Sequence, residues 1–220
     1  MEKERHVIEE KGYIPKRVLD KVKLKRQIRE KILAVEESPR ESIAIQVISG
    51  EIPDEAGLEA EEYFFAGWQL EYGISSFKDT ELAIKAYEIA VSKGYIKAIT
   101  ALGDLFKKNG NLEEAYRWYL EGSLLEKPIE HSLYGLALMY HEGEYVTQDY
   151  AKALKYFKMS YFEGCQKTLF YLGQYYENGF GTEHDYKKAN DYYRLGANVY
   201  DEDCKRALIR MEKDLENTDE

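Results

Sequence analysis

Four histidines and two cysteines are the residues in this 220-residue chain best suited to metal or nucleophilic chemistry. Such chemistry needs them gathered at short, regular spacings. His6, His131, His141 and His184 show no His-x-x-x-His spacing, and Cys165 and Cys204 form no Cys-x-x-Cys pair. His131 and His141 lie ten residues apart, near opposite ends of one expected helix. Gly179-Phe-Gly-Thr lacks the preceding strand, the further glycines and the lysine of a phosphate loop. No group of side chains stands ready to tune one another's pKa. The chain therefore reads as a non-enzyme, with no catalytic residue, metal ligand or cofactor assigned. The two cysteines read as small buried hydrophobes in a reducing compartment.

What remains is the chemistry of recognition, and it depends on how the chain repeats itself. The run from Leu133 to Phe157 returns, position for position, from Leu169 to Tyr193. A period in the mid-thirties with helical spacing inside each unit predicts stacked helix pairs sharing one core. Four units overlay on Gly67, Gly103, Ala137 and Gly173 in their first helices, at steps of 36, 34 and 36 residues. Second helices carry Ala83, Ala115, Ala153 and Ala189, with a further small residue seven positions on at Ala90, Gly122, Ser160 and Gly196. Helices cross closely only where side chains are small, so both sets are expected at the contact between the two helices of a pair. Gly143 and Gly179 suit the left-handed end of a first helix, and Asp149 and Asp185 the cap of a second. The second unit has a turn four residues shorter, Asn109-Gly110-Asn111, with Asn111 and Glu114 placed as a capping pair.

On each first helix, the positions three before the small anchor, one after it and four after it share a face directed away from the paired helix. They are Phe64, Trp68 and Glu71; Thr100, Asp104 and Lys107; Tyr134, Leu138 and His141; Phe170, Gln174 and Glu177. Trp68, Tyr134 and Phe170 are not needed to seal a pair, which makes them candidate anchors for a partner. For Phe64 and Trp68 the competing expectation is that N-terminal helices fold back and cover them. Most of the 20 tyrosines fall on repeat positions, among them Tyr140, Tyr150, Tyr156, Tyr176, Tyr186 and Tyr192, and read as core.

The N-terminal third is of another character. Nine Lys and Arg stand against two Asp and Glu between Lys11 and Lys31, whereas the whole chain carries a net charge of -10. Lys11 to Val35 reads as a basic helix, and Ser38-Pro39-Arg40-Glu41 as the start of a helix that stops at Gly50, before Ile52-Pro53-Asp54 turns the chain. The N-terminus lacks the apolar stretch of a secretory signal, and no run approaches the roughly 18 apolar residues of a membrane span, which together give a cytoplasmic expectation. The expected divisions are residues 1–53, a basic helical segment; 54–200, the repeats; and 201–220, a closing amphipathic helix with a polar tail.

These residues resemble the Sel1-like repeat family, a relative of the tetratricopeptide repeat. The marks are Leu172-Gly173 followed by Tyr176, the loops Gly179-x-Gly181 and Gly143-x-x-Val146, Asp-Tyr before the second helix, Lys152-Ala153 and Lys188-Ala189, and the aromatic pairs Tyr156-Phe157 and Tyr192-Tyr193. The resemblance covers residues 58 to 200. It implies an all-α, right-handed solenoid of about four helix hairpins with extra N-terminal helices. It also implies a non-catalytic adaptor that holds a protein or peptide on its concave face, and it carries over no catalytic residues. Two alternatives stand beside the adaptor. One is an immunity or inhibitor protein whose acidic body neutralises a basic toxin or enzyme. The other is a nucleic-acid- or membrane-associated protein tethered by residues 11–31, although the acidic body argues against nucleic acid over the repeats.

Overall fold

The computed structural model describes residues 39–51, 57–74, 78–199 and 201–218. The basic segment 11–35, Ser38 and the turn at Ile52-Pro53-Asp54 lie outside these residues. Among the described residues all regular structure is α-helical: α1 (Pro39–Ser49), α2 (Ala60–Tyr72), α3 (Thr80–Ser92), α4 (Lys97–Lys108), α5 (Leu112–Ser123), α6 (Glu130–Glu142), α7 (Tyr150–Phe162), α8 (Thr168–Asn178), α9 (Tyr186–Asn198) and α10 (Glu202–Thr218). The chain forms two compact units divided between Leu136 and Ala137, inside α6.

In the first unit α2 pairs with α3 and α4 with α5, α3 also meets α4, and α1 packs on α2 and α3. The pairs close through a glycine under a tyrosine ring. A Cβ on Gly67 would come within 2.8 Å of the Tyr87 ring and 3.2 Å of the Ala83 carbonyl, and one on Gly103 within 2.5 Å of the Tyr119 ring. Gly135 on α6 offers its bare backbone to the same Tyr119 ring, where a Cβ would sit 2.7 Å away. Tyr119 is thus clasped between two glycines and buried, which removes a large apolar ring from water without a void. Gly67 and Gly103 face second-helix rings, and Ala83 and Ala115 are fully buried. The ring that fills each crossing comes from the residue four beyond the alanine. The later small position has a wider role than a contact within one pair: Gly122 faces Ser132 of the following first helix as well as Ile99.

The second unit repeats the device. Gly173 lies against the Tyr193 ring, and Ala137, Ala153 and Ala189 are fully buried. Gly196 faces Cys204 of α10 and Leu169 of α8, so this small residue too joins neighbouring repeats. Tyr140 stacks on Tyr156 and Tyr176 on Tyr192, each with ring centroids 5.7 Å apart. The Lys-Ala step has a physical reason. Lys152 lies over the Tyr140 ring at 5.2 Å and reaches Asp149 at 3.4 Å, while Lys188 lies over Tyr176 at 5.2 Å and reaches Asp185 at 3.1 Å. Asp149 and Asp185 cap α7 and α9 by accepting from the backbone N–H of Lys152 and Lys188, at 2.9 Å each. Those backbone bonds hold both carboxyls below the usual aspartate range. Asp79 and Asn111 cap α3 and α5 in the same way.

The connection inside each of the last two repeats needs a left-handed residue two positions after its first glycine. Gly181 takes it with φ 64°, and a Cβ there would come within 2.6 Å of the Ala151 nitrogen. In the preceding repeat Tyr145 takes it with φ 65° and an exposed ring.

After the fourth pair, α10 continues the pattern as a first helix would. Cys204 stands 36 residues beyond Thr168, and Thr168 36 beyond Ser132, so all three share one register. Cys204 is buried against Gly196, and burial, then Asp201, pushes its thiol up to about 12, which suits an inert packing residue. Ile209 occupies the register of the anchoring glycine and is 54% exposed. Gly173→Leu is expected to lower stability by about 1–3 kcal/mol or more, because the new side chain displaces the Tyr193 ring; chemical denaturation checks this, and an unchanged midpoint counts against the contact.

Candidate partner-binding face

The twelve first-helix positions divide by what the fold has already done with them. In the first unit, Phe64 lies 4.8 Å from the Tyr95 ring and 5.5 Å from Tyr87, and Trp68 lies 5.7 Å from Tyr72. Both are half-buried against the core that also receives Ile43, Ile45, Val47 and Ile48 of α1. Helix α1 thus shares a core with these two aromatics.

Glu71 is only 7% exposed, and its carboxylate accepts from the Tyr87 hydroxyl at 3.1 Å and from the Lys108 ammonium at 3.1 Å. Lys108 also sits over the Tyr72 ring at 4.8 Å. Burial first, then the charge of Glu71, drives the Tyr87 phenol far above its ordinary pKa, so it is a permanent donor. Thr100 is 8% exposed and shares a 2.9 Å hydrogen bond with Ser132. Asp104 is exposed, yet it accepts from the Tyr119 hydroxyl at 2.6 Å. Lys107 and Tyr134 are half-buried.

In the second unit Leu138, Phe170 and Gln174 are half-buried, with the Phe170 ring 6.1 Å from Tyr193 and 5.8 Å from Tyr171. Glu177 accepts from the Tyr193 hydroxyl at 2.6 Å and holds Arg210 of α10 at 2.6 Å. His141 Nδ1 lies 2.9 Å from the Tyr175 hydroxyl.

A rule emerges at the position four beyond the anchor. Glu71 and Glu177 each join a tyrosine of their own second helix to a cation on the following first helix, and His141 joins the following first helix through Tyr175. Sequence spacing placed these three on an open face, whereas the structure gives each of them internal partners. The tyrosines four beyond three of the second-helix alanines, Tyr87, Tyr119 and Tyr193, were missed as hydrogen-bond donors. Their signal was present in the stride, since they recur with the alanines.

Within each unit the geometry is one of helix hairpins joined by nearest-neighbour contacts, with no strand among the described residues. The Sel1 repeat model matches residues 63–95, 98–125, 131–161 and 167–199, and the chain belongs to the Sel1 repeat family. It is 28% identical over 137 residues to an uncharacterized protein of Neisseria meningitidis serogroup B, covering 62% of this chain and 29% of that one. Among solved structures it resembles a protective antigen of uropathogenic Escherichia coli strains displaying an SLR fold, with TM-score 0.60, 28% identity, and coverage of 70% of this chain and 33% of that one. It also resembles a Sel1 repeat protein from Oxalobacter formigenes, with TM-score 0.61, 23% identity, and coverage of 74% and 68%. The chain therefore spans about a third of the length of the first two relatives.

Glu177→Ala strands both the Tyr193 hydroxyl and Arg210 and is expected to cost about 1–3 kcal/mol. Arg210→Ala, which removes only the half-exposed partner, should cost about 1 kcal/mol or less. Equal losses in denaturant unfolding would contradict the joint role of Glu177.

Proposed function

We propose that this chain is a non-catalytic scaffold that holds a protein or peptide along its first helices, with Tyr134 and Phe170 as aromatic anchors. The observation that carries the reading is the recurrence of half-buried aromatics, Phe64, Tyr134 and Phe170, three residues before the first, third and fourth anchors, joined by Trp68 one residue after the first. Aromatic side chains that are partly accessible on a rigid helical frame supply contact area at small entropic cost. Sel1 repeat proteins generally mediate protein–protein interaction, which supports the same reading. Asp104, Lys107, Leu138 and Gln174 add varied polarity beside the rings and would set specificity. Glu71, Thr100, His141 and Glu177 contribute by holding the helices in place. The protein partner carries no implied cofactor. No described helix is long and apolar enough to cross a membrane, and the free buried cysteines suit a reducing, cytoplasmic setting.

Tyr134→Ala combined with Phe170→Ala is expected to abolish capture of the partner that the wild-type chain retains in affinity purification from its native cell, with little change in melting temperature. Retained capture, or a double variant that no longer folds, would show that the rings serve the core and not a partner.

A further inference from the structure

Among the polar links that tie one repeat to the next, the one at His141 is built from a group that titrates near neutrality. The imidazole lies among the rings of Tyr150, Tyr171 and Tyr175, each with its centroid 5.7 Å away, and Phe180 stacks on Tyr150 at 4.8 Å to close the cluster. Tyr175 is fully buried, and its hydroxyl meets His141 Nδ1 at 2.9 Å. A buried phenol must donate its proton, and Nδ1 is the acceptor within reach. The neutral imidazole therefore carries its own proton on Nε2. The third repeat is also the one in which phenylalanine, Phe157, stands where the others place Tyr87, Tyr119 and Tyr193. At that position α7 brings no hydroxyl to the first helix, and His141 meets Tyr175 of the next first helix.

We propose that His141 is a pH-operated latch between α6 and α8. Neutral, it accepts the Tyr175 hydroxyl; protonated at Nδ1, it becomes a donor, and the buried hydroxyl proton loses its acceptor. The crossing of α6 and α8 then loosens.

The groups facing His141 from each packed element are consistent with this. Glu142 on its own helix favours the protonated form, but burial outweighs it and lowers the imidazole pKa. Tyr150 from α7 and Tyr171 and Tyr175 from α8 face it with phenol rings, burial above all raises the pKa of the Tyr175 phenol, and Phe180 has no ionisable group. The Asp149–Lys152 pair at the start of α7 is bonded to itself, and Glu177 on α8 is engaged by Tyr193 and Arg210. Attraction of an imidazolium to the rings offsets part of the loss. Because the folded-state pKa is depressed, the unfolded chain takes up the proton first. The latch contributes fully above about pH 6.5, and its contribution is lost as pH falls from there through the lowered folded value.

The test is made on the full chain from about pH 8 to about pH 5. Long-range proton–nitrogen NMR reports the His141 tautomer and titration, and amide hydrogen exchange reports protection factors along Thr168–Asn178. Wild type is expected to show an unprotonated Nδ1 at high pH and to lose α8 protection on acidification. His141→Asn keeps, in Oδ1, an acceptor at the place of Nδ1 that does not titrate and should hold protection level. Tyr175→Phe, which removes the hydroxyl, should raise the His141 midpoint toward its ordinary value. Protection that stays constant through the titration of His141, or an equal acid loss in His141→Asn, overturns the proposal. Should the asparagine variant fail to fold, the His141 midpoint in Tyr175→Phe decides it.

Discussion

A tyrosine ring laid on bare glycine backbone is the contact from which the rest of each hairpin follows. At Gly67, Gly103 and Gly173 there is no room for a single added carbon, because the rings of Tyr87, Tyr119 and Tyr193 occupy it. Close approach of the helices alone would be met by any small side chain. The ring adds direction: with its body clamped, its hydroxyl is carried to a carboxylate on the first helix, where Glu71, Asp104 and Glu177 receive it. One apolar contact thereby sets the position of a polar one. The two together resist sliding as well as separation, since a shift of either helix would break the hydrogen bond before it exposed the ring.

The third repeat shows the coupling by departing from it. Its anchor is Ala137, which carries the carbon the glycines lack, and its second-helix ring is Phe157, which lacks the hydroxyl. The changes occur together in one repeat. Position four beyond the anchor is then relieved of its usual task, and a histidine there reaches forward to Tyr175.

Much of this was legible in the residues themselves. The stride of Gly67, Gly103, Ala137 and Gly173 showed the number of pairs, and Asp149 and Asp185 stood out as caps of the second helices. The glycine that ends α1 and the short turn at Gly110 were equally plain. The polar latches were not. Counting along one helix shows which residues share a face, but not what the next helix brings to that face. Lys108 lies 37 residues from Glu71, and Arg210 lies 33 from Glu177. Periodicity records burial and says nothing of such pairings, which is why Glu71 and Thr100 looked open and lie inside. The same blindness hid the inter-repeat role of Gly122 and Gly196, whose neighbours Ser132 and Cys204 belong to the following helices.

The acceptor for each tyrosine hydroxyl also explains how the repeats can differ without losing their packing. In the first and fourth repeats the carboxylate stands four beyond the anchor, at Glu71 and Glu177; in the second it stands one beyond, at Asp104. These two positions are adjacent turns of one helix face, so a clamped hydroxyl can reach either. Only one needs to be an acceptor. The other need not accept a hydroxyl, and there the chain carries Trp68, Lys107 and Gln174, three residues with nothing chemical in common. In the third repeat, where Phe157 brings no hydroxyl, Leu138 stands one beyond the anchor. Because an acceptor is required at only one of two positions, the repeats can keep a common contact between their helices while differing in the residue beside it.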